Sequence, residues 1–270
     1  MASPPRSLSG RRGDIVVTTD ADGIAWVVLD RPARRNAVTA AMWGELARIF
    51  TELSARDDVR VIVLTGAGDH FCAGADIAEF GEARGDSAAA RAYERDVDAC
   101  TEAIAASPRP TIAAIRGFCL GGGCGLAMAC DFRLAHRSAR FGIPAARLGI
   151  VYGVPDSHNL LTLVGLAQAK RILFTARRFD AHEAARIGFV DEVVDDALEE
   201  ATRAFAATLA ANAPISIAGA KLILTALATG AIEERGAAIQ AVADRSTESQ
   251  DYREGVQAFL EKRPPRFTGT

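Results

Sequence analysis

Residues 59–65, Val-Arg-Val-Ile-Val-Leu-Thr, and residues 111–115, Thr-Ile-Ala-Ala-Ile, are short, nearly unbroken apolar runs rich in β-branched side chains. A strand with one wet face alternates apolar and polar residues; a continuous run fits a strand buried on both faces. Each run is followed by a glycine-rich segment, 66–77 and 117–125, and a helical stretch, 87–106, lies between them. Strand, helix, strand in that order predicts α/β architecture with a βαβ spiral in the first half of the chain.

The remaining elements fit that frame. Residues 14–19 and 24–29 are apolar runs split by Asp20-Ala21-Asp22-Gly23, a hairpin signal. Thr39 is placed to cap a helix running to about Ala55, with Met42, Leu46, Ile49, Phe50 and Leu53 on one face. Residues 131–135 read as a further strand. From Asn159 onward helices dominate: 167–174, 182–188, 199–211, 214–229, 231–246 and 252–260, with a strand-like edge at 189–194. The expected organisation is a tail over 1–13, a core over 14–195 and a helical C-terminal region over 196–270.

Bulk properties exclude several functions. The net charge of −3 lacks the basic surplus expected of a chain that binds phosphate backbones, so no nucleic-acid partner is expected. No apolar stretch approaches the ~20 residues of a membrane span, and residues 1–13 have no signal-peptide core. Cys72, Cys100, Cys119, Cys124 and Cys130 include no CxxC pair and no histidine at metal-site spacing. The expectation is a cytoplasmic protein with reduced thiols, no metal and no membrane partner.

The glycine segments carry the chemistry. Gly117-Phe118-Cys119-Leu120-Gly121-Gly122-Gly123-Cys124-Gly125 follows a buried strand and opens a short helix. A helix start presents unpaired N–H groups and partial positive charge, and glycines let an oxygen approach that backbone. The segment is not GxGxxG, not a phosphate loop and not GxSxG. Close helix–strand packing would also account for its glycines. With 66–77 it forms a pair of donor-bearing loops at the C-terminal ends of parallel strands, where open α/β sheets bind ligands.

The ordered motifs Arg31-Pro32 with Asn36-Ala37, Phe71-Cys72-Ala73-Gly74-Ala75-Asp76-Ile77, Gly121-Gly122-Gly123-Cys124, Phe141-Gly142-Ile143-Pro144, Ala185-Arg186-Ile187-Gly188-Phe189-Val190 and Phe259-Leu260-Glu261-Lys262-Arg263 resemble the enoyl-CoA hydratase/isomerase (crotonase) family over about residues 14–267. The resemblance implies a crotonase-like ββα spiral whose C-terminal helical region builds a homotrimer, often paired into a hexamer. It implies an acyl-CoA substrate in fatty-acid or related thioester metabolism. The thioester oxygen is held by the N–H groups of Ala75 and Gly122, and no cofactor is needed beyond the substrate's own coenzyme A. Coenzyme contacts are implied at Arg35, Ala37, Ala73, Asp76 and Ile77, with Phe259 and Lys262 toward its adenine and phosphate end.

The family's hydratases carry two glutamates as acid and base, at the positions of Gly125 and Ala145 here. With both absent, ordinary hydration is not expected. Enolate chemistry that needs only the oxyanion hole stays open. Leu148-Gly149-Ile150-Val151-Tyr152 with Ser157-His158-Asn159-Leu160 is similar to methylmalonyl-CoA decarboxylase, whose active-site tyrosine matches Tyr152. That gives a decarboxylase alternative; a non-catalytic acyl-CoA-binding protein is another. Asp156, Ser157 and His158 are sequence neighbours and do not form a triad. His70 reads as a solvated loop residue. Glu79 and Glu82 are either substitute acids or an exposed face, and the loop 80–86 is expected to set pocket depth.

Overall fold

The computed structural model describes residues 10–79 and 86–270. Strand β1 (Gly10–Arg12), β2 (Ile15–Thr19) and β3 (Ile24–Leu29) are antiparallel neighbours. Helix α1 (Ala40–Ser54), β4 (Val61–Gly66), α2 (Ser87–Ala105), β5 (Thr111–Ile115), β6 (Phe118–Leu120), α3 (Gly122–Ala129), β7 (Phe132–His136) and β8 (Arg140–Gly142) follow. Then come α4 (Ala145–Leu148), α5 (Val154–Thr175), β9 (Arg178–Asp180), α6 (Ala181–Arg186) and β10 (Glu192–Val194). The chain closes with helices α7 (Leu198–Ala210), α8 (Pro214–Thr229), α9 (Ile232–Glu248) and α10 (Gln250–Glu261).

Among the described residues the main sheet runs β1-β2-β3-β4-β5-β7-β10. Pairing is antiparallel through β3 and parallel from there on. Its central strands are buried on both faces, as their composition requires. Ala25, Val27, Ile62, Leu64, Ala113 and Ile115 pack toward α1, α2 and α3. Ile24, Trp26, Val61, Val63, Ile112 and Ala114 pack toward α7. Burial of each large aliphatic side chain stabilises by about 1.5–3 kcal/mol, so these strands anchor the fold and hold the loops at their C-terminal ends.

Helix α1 begins where expected. The Thr39 hydroxyl accepts from the Met42 N–H at 3.3 Å, and Met42, Trp43, Leu46, Ile49, Phe50 and Leu53 form its buried stripe.

Three features depart from the sequence reading. Gly10–Arg12, expected in the tail, form an edge strand in register with Val17–Ile15, and Arg12 bridges Glu52 at 2.7 Å and Glu45 at 3.4 Å. A second sheet, β6-β8-β9, was not anticipated, because three-residue strands carry too little periodicity to read. Helix α5 starts at Val154, well before the expected 167, and breaks at Gly165, whose φ is 72°. No single helix among the described residues is long and apolar enough to cross a membrane.

Candidate active site

The two glycine segments are knitted together by backbone hydrogen bonds. Phe71 N–H donates to the Arg116 carbonyl at 2.7 Å, Cys72 N–H to Phe118 at 2.8 Å, and Leu120 N–H to Cys72 at 3.0 Å. On its other side the first segment is tied to Val38, whose N–H donates to Gly74 O at 2.9 Å and whose carbonyl accepts from Asp76 N–H at 2.8 Å. In a parallel bridge this pattern uses the peptide groups on either side of Ala75. The Ala75 N–H therefore faces away from Val38, and among the described residues no backbone acceptor is paired with it.

Gly122 is the first residue of α3, so its N–H has no acceptor within the helix. The two donors converge: a Cβ added at Gly122 would stand 3.6 Å from the Ala75 nitrogen. Gly74 makes the approach feasible. Its φ is 102°, and a Cβ there would lie 2.8 Å from the Leu120 carbonyl oxygen.

Both donors open into a cavity of about 460 Å³. Its walls are mostly apolar, with Trp43, Val97, Ile143, Ala145 and Leu148 among them. Trp43 Nε1 donates to the Tyr93 hydroxyl at 2.8 Å, which fixes the indole between α1 and α2. The polar lining consists chiefly of Tyr152, Asp156, Asp98 and Glu94. The Tyr152 hydroxyl donates to the Gly121 carbonyl at 3.3 Å. Burial first, and then the neighbouring Asp156, hold its phenol well above its ordinary pKa, so it stays a protonated donor. Burial pushes the Asp156 carboxyl up to about 6, with Asp98 adding to the shift and the Tyr152 hydroxyl opposing it. Asp98 is raised by burial and by Glu94 and Glu102.

Of the residues singled out from the sequence, Ala73, Ala75, Ile77, Gly122 and Tyr152 line this one cavity. Arg35 and Ala37 lie on the adjoining turn. The Arg35 carbonyl accepts from Ala73 N–H at 2.9 Å, its guanidinium sits 5.4 Å from the Phe118 ring centroid, and the Ala37 carbonyl accepts from Arg31. Asp76 pairs with Arg31 at 3.0 Å. Phe259, at the far end of the chain, lines a different cavity between α8 and α10, and Lys262 caps α10, so this chain does not bring them to the other contacts.

Ala145 presents its methyl to the cavity, and Gly125 lies one turn into α3. Glu79 is neither an exposed-face residue nor a free acid, since its carboxylate accepts from the Ala40 N–H at 2.8 Å and caps α1. Glu82 and most of the 80–86 loop fall outside the described residues. His70 is structural: its ring stacks on Phe118, and Nδ1 accepts from the Phe118 N–H at 3.2 Å. Asp156 and Asp98 were missed in the sequence as site residues. The only available signal was the i, i+4 spacing of Tyr152 and Asp156.

The sequence profile described as enoyl-CoA hydratase/isomerase matches residues 19–270. The chain belongs to that family. It is 34% identical over 245 residues to the short-chain-enoyl-CoA hydratase of Clostridium acetobutylicum, covering 89% of this chain and 92% of the relative. Among solved structures, an enoyl-CoA hydratase/carnithine racemase from Magnetospirillum magneticum superposes with a TM-score of 0.90 at 36% identity, covering 96% of this chain and 97% of the other. The enoyl-CoA hydratase of Bacillus anthracis gives 0.86 at 34% identity, covering 96% and 100%. The crotonase-like α/β fold expected from the motifs is thereby shown. Among the described residues no three His, Cys, Asp or Glu side chains are grouped to hold a metal ion.

Proposed function

We propose that the cavity holds the thioester end of an acyl-CoA, with the carbonyl oxygen between the N–H groups of Ala75 and Gly122, and that the enzyme works through the enolate this arrangement stabilises. The convergence of two backbone donors without backbone acceptors on an apolar cavity carries the reading. Donors fixed before reaction stabilise charge as it develops on the oxygen, at no cost of reorganisation. Arg35, Ala37, Ala73, Asp76 and Ile77 would lie along the coenzyme. Phe259 and Lys262 would reach it from another copy in a trimer or paired trimers; the exposure of Leu224, Leu227, Phe259 and Leu260 supports such an assembly.

The chemistry is not hydration by two glutamates, because Gly125 and Ala145 supply no carboxylate. The decarboxylase alternative has Tyr152 in place, but Asp98 and Asp156 would oppose the free carboxylate of a malonyl-type thioester by like charge. Proton transfer on an uncharged acyl chain is therefore the better fit. Incubation with crotonyl-CoA, a 3-enoyl-CoA and methylmalonyl-CoA, followed by mass spectrometry, separates these reactions from a non-catalytic binder. Gly122→Pro removes one donor at a helix position that tolerates proline. Gly122→Ala introduces the same Cβ, 3.0 Å from Trp43, but keeps the N–H. Loss of turnover to at most a hundredth in the proline variant, relative to the alanine variant, is expected; equal turnover would remove Gly122 from the site.

A further inference from the structure

We propose that the Asp156 carboxyl is the catalytic proton-transfer group of this cavity and occupies the place that a side chain at residue 125 would otherwise fill. A Cβ added at Gly125 would stand 2.8 and 3.0 Å from the two carboxylate oxygens of Asp156 and 3.2 Å from their carbon. Residue 125 can thus bear no side chain while Asp156 is where it is. Asp156 is 6% exposed, and its Oδ1 is buried without a hydrogen-bond partner among the described residues. Such a group normally finds a partner or is replaced by an apolar residue, because its desolvation is uncompensated. A carboxylate on the wall of a cavity with one oxygen left without a partner has that oxygen free to act on what enters it.

The placement suits the task, on the basis that a thioester oxygen lies between Ala75 and Gly122. Residue 125 follows Gly122 by three helical positions, a rise of about 4.5 Å on the same face of α3. By standard bond lengths, C2 of the thioester lies about 2.4 Å from its carbonyl oxygen and C4 lies two bonds further along the chain. The carboxylate therefore stands about one helical turn from the oxyanion donors, on the wall of the same cavity and within the span of C2 to C4. The titratable groups around it are Tyr152 on the approach to α5, Asp98 and Cys100 on α2 with Glu94 behind Asp98, and Cys124 on α3 next to Tyr152. A carboxyl raised to about 6 in these surroundings is suited both to take a proton and to return it near neutral pH.

The reaction class is a 1,3-proton shift on a 3-enoyl thioester. Asp156 takes a proton from C2, and the C–H electron pair moves into the C1–C2 bond as the carbonyl oxygen becomes the bound enolate. The enolate then collapses: its electrons form the C2–C3 double bond, the C3–C4 pair moves to C4, and C4 takes the proton back from Asp156. The product is the conjugated 2-enoyl thioester, and nothing else is consumed.

In D2O, the wild type is expected to isomerise trans-3-hexenoyl-CoA and to introduce deuterium at C2 or C4, read by mass spectrometry. Asp156→Asn should lower kcat by about 10²–10⁴-fold, with KM and the calorimetric Kd for butyryl-CoA within threefold of wild type. Gly125→Ala should lower kcat at least tenfold by displacing the carboxylate, and Gly125→Glu/Asp156→Gly should recover at least tenfold over Asp156→Asn. Wild-type kcat in Asp156→Asn, or a double variant no better than it, overturns the assignment. A wild type that binds butyryl-CoA but neither isomerises the probe nor exchanges its C2 protons also overturns it, while thioester binding stands. Absence of binding refutes the thioester reading itself.

Discussion

Asp156→Asn is expected to make the protein more stable at neutral pH as it disables the cavity. Burial raises the Asp156 carboxyl from 3.8 to about 6 in the folded state. Between those values the folded chain binds a proton that the unfolded chain has released, so stability falls as pH rises. The carboxyl's stabilising share is fully present below about 3.8 and is lost by the time pH has passed through about 6. Each pKa unit is worth about 1.4 kcal/mol, so the wild type forfeits about 3 kcal/mol at pH 7 relative to a neutral isostere. Asparagine keeps the shape and removes the charge. Urea unfolding of both proteins at intervals from pH 3.5 to 8 should show nearly equal midpoints at the acid end and a gap that opens to about 3 kcal/mol by pH 7. A gap independent of pH, or a wild type that is the more stable at pH 7, would refute the claim that the Asp156 carboxyl is held in a desolvated site that disfavours its charge.

Other consequences can be checked separately. The kcat/KM of the wild type should fall as pH drops through about 6, where the Asp156 base becomes protonated, and that acid limb should be absent from the residual activity of Asp156→Asn. Gly74→Ala forces a side chain to a φ of 102° and within 2.8 Å of Leu120 O, so Tm should fall with a loss of about 1–3 kcal/mol. All five cysteines are buried, and burial pushes Cys72 and Cys130 up to about 12. A thiol reagent at pH 8 should therefore label the native protein slowly and all five sites at once in denaturant; rapid native labelling would contradict that burial. Thr39→Ala removes one α1 cap and should cost about 1 kcal/mol in chemical denaturation.

Several parts of the site were legible in the chain because their causes are local. Ile62 and Leu64 alternate with Val61 and Val63 onto opposite faces of β4, and β-branched composition alone calls for such a strand. Thr39 is followed by a stripe at helical spacing, so the start of α1 could be read. Gly74 and Gly121–Gly122 mark where backbone comes close to something, and the positive φ at Gly74 and Gly121 is the physical content of that mark. The strands of the second sheet escaped notice because Phe118–Leu120, Arg140–Gly142 and Arg178–Asp180 are each too short to show a period. Phe259 and Lys262 were recognised as motif positions, yet their distance from Ala75 is a matter of where α10 packs.

The chain alone determines that an α/β core presents two glycine-bearing loops, and that positions 125 and 145 carry no carboxylate. Backbone donors depend on local dihedral angles and strand pairing, which short-range sequence specifies. Whether the cavity nonetheless holds an acid is decided only when α5 packs against α3 and sets Asp156 on Gly125, 31 positions apart in sequence. Burial then decides its protonation, because the cost of a charge depends on the medium around it and not on its neighbours along the chain.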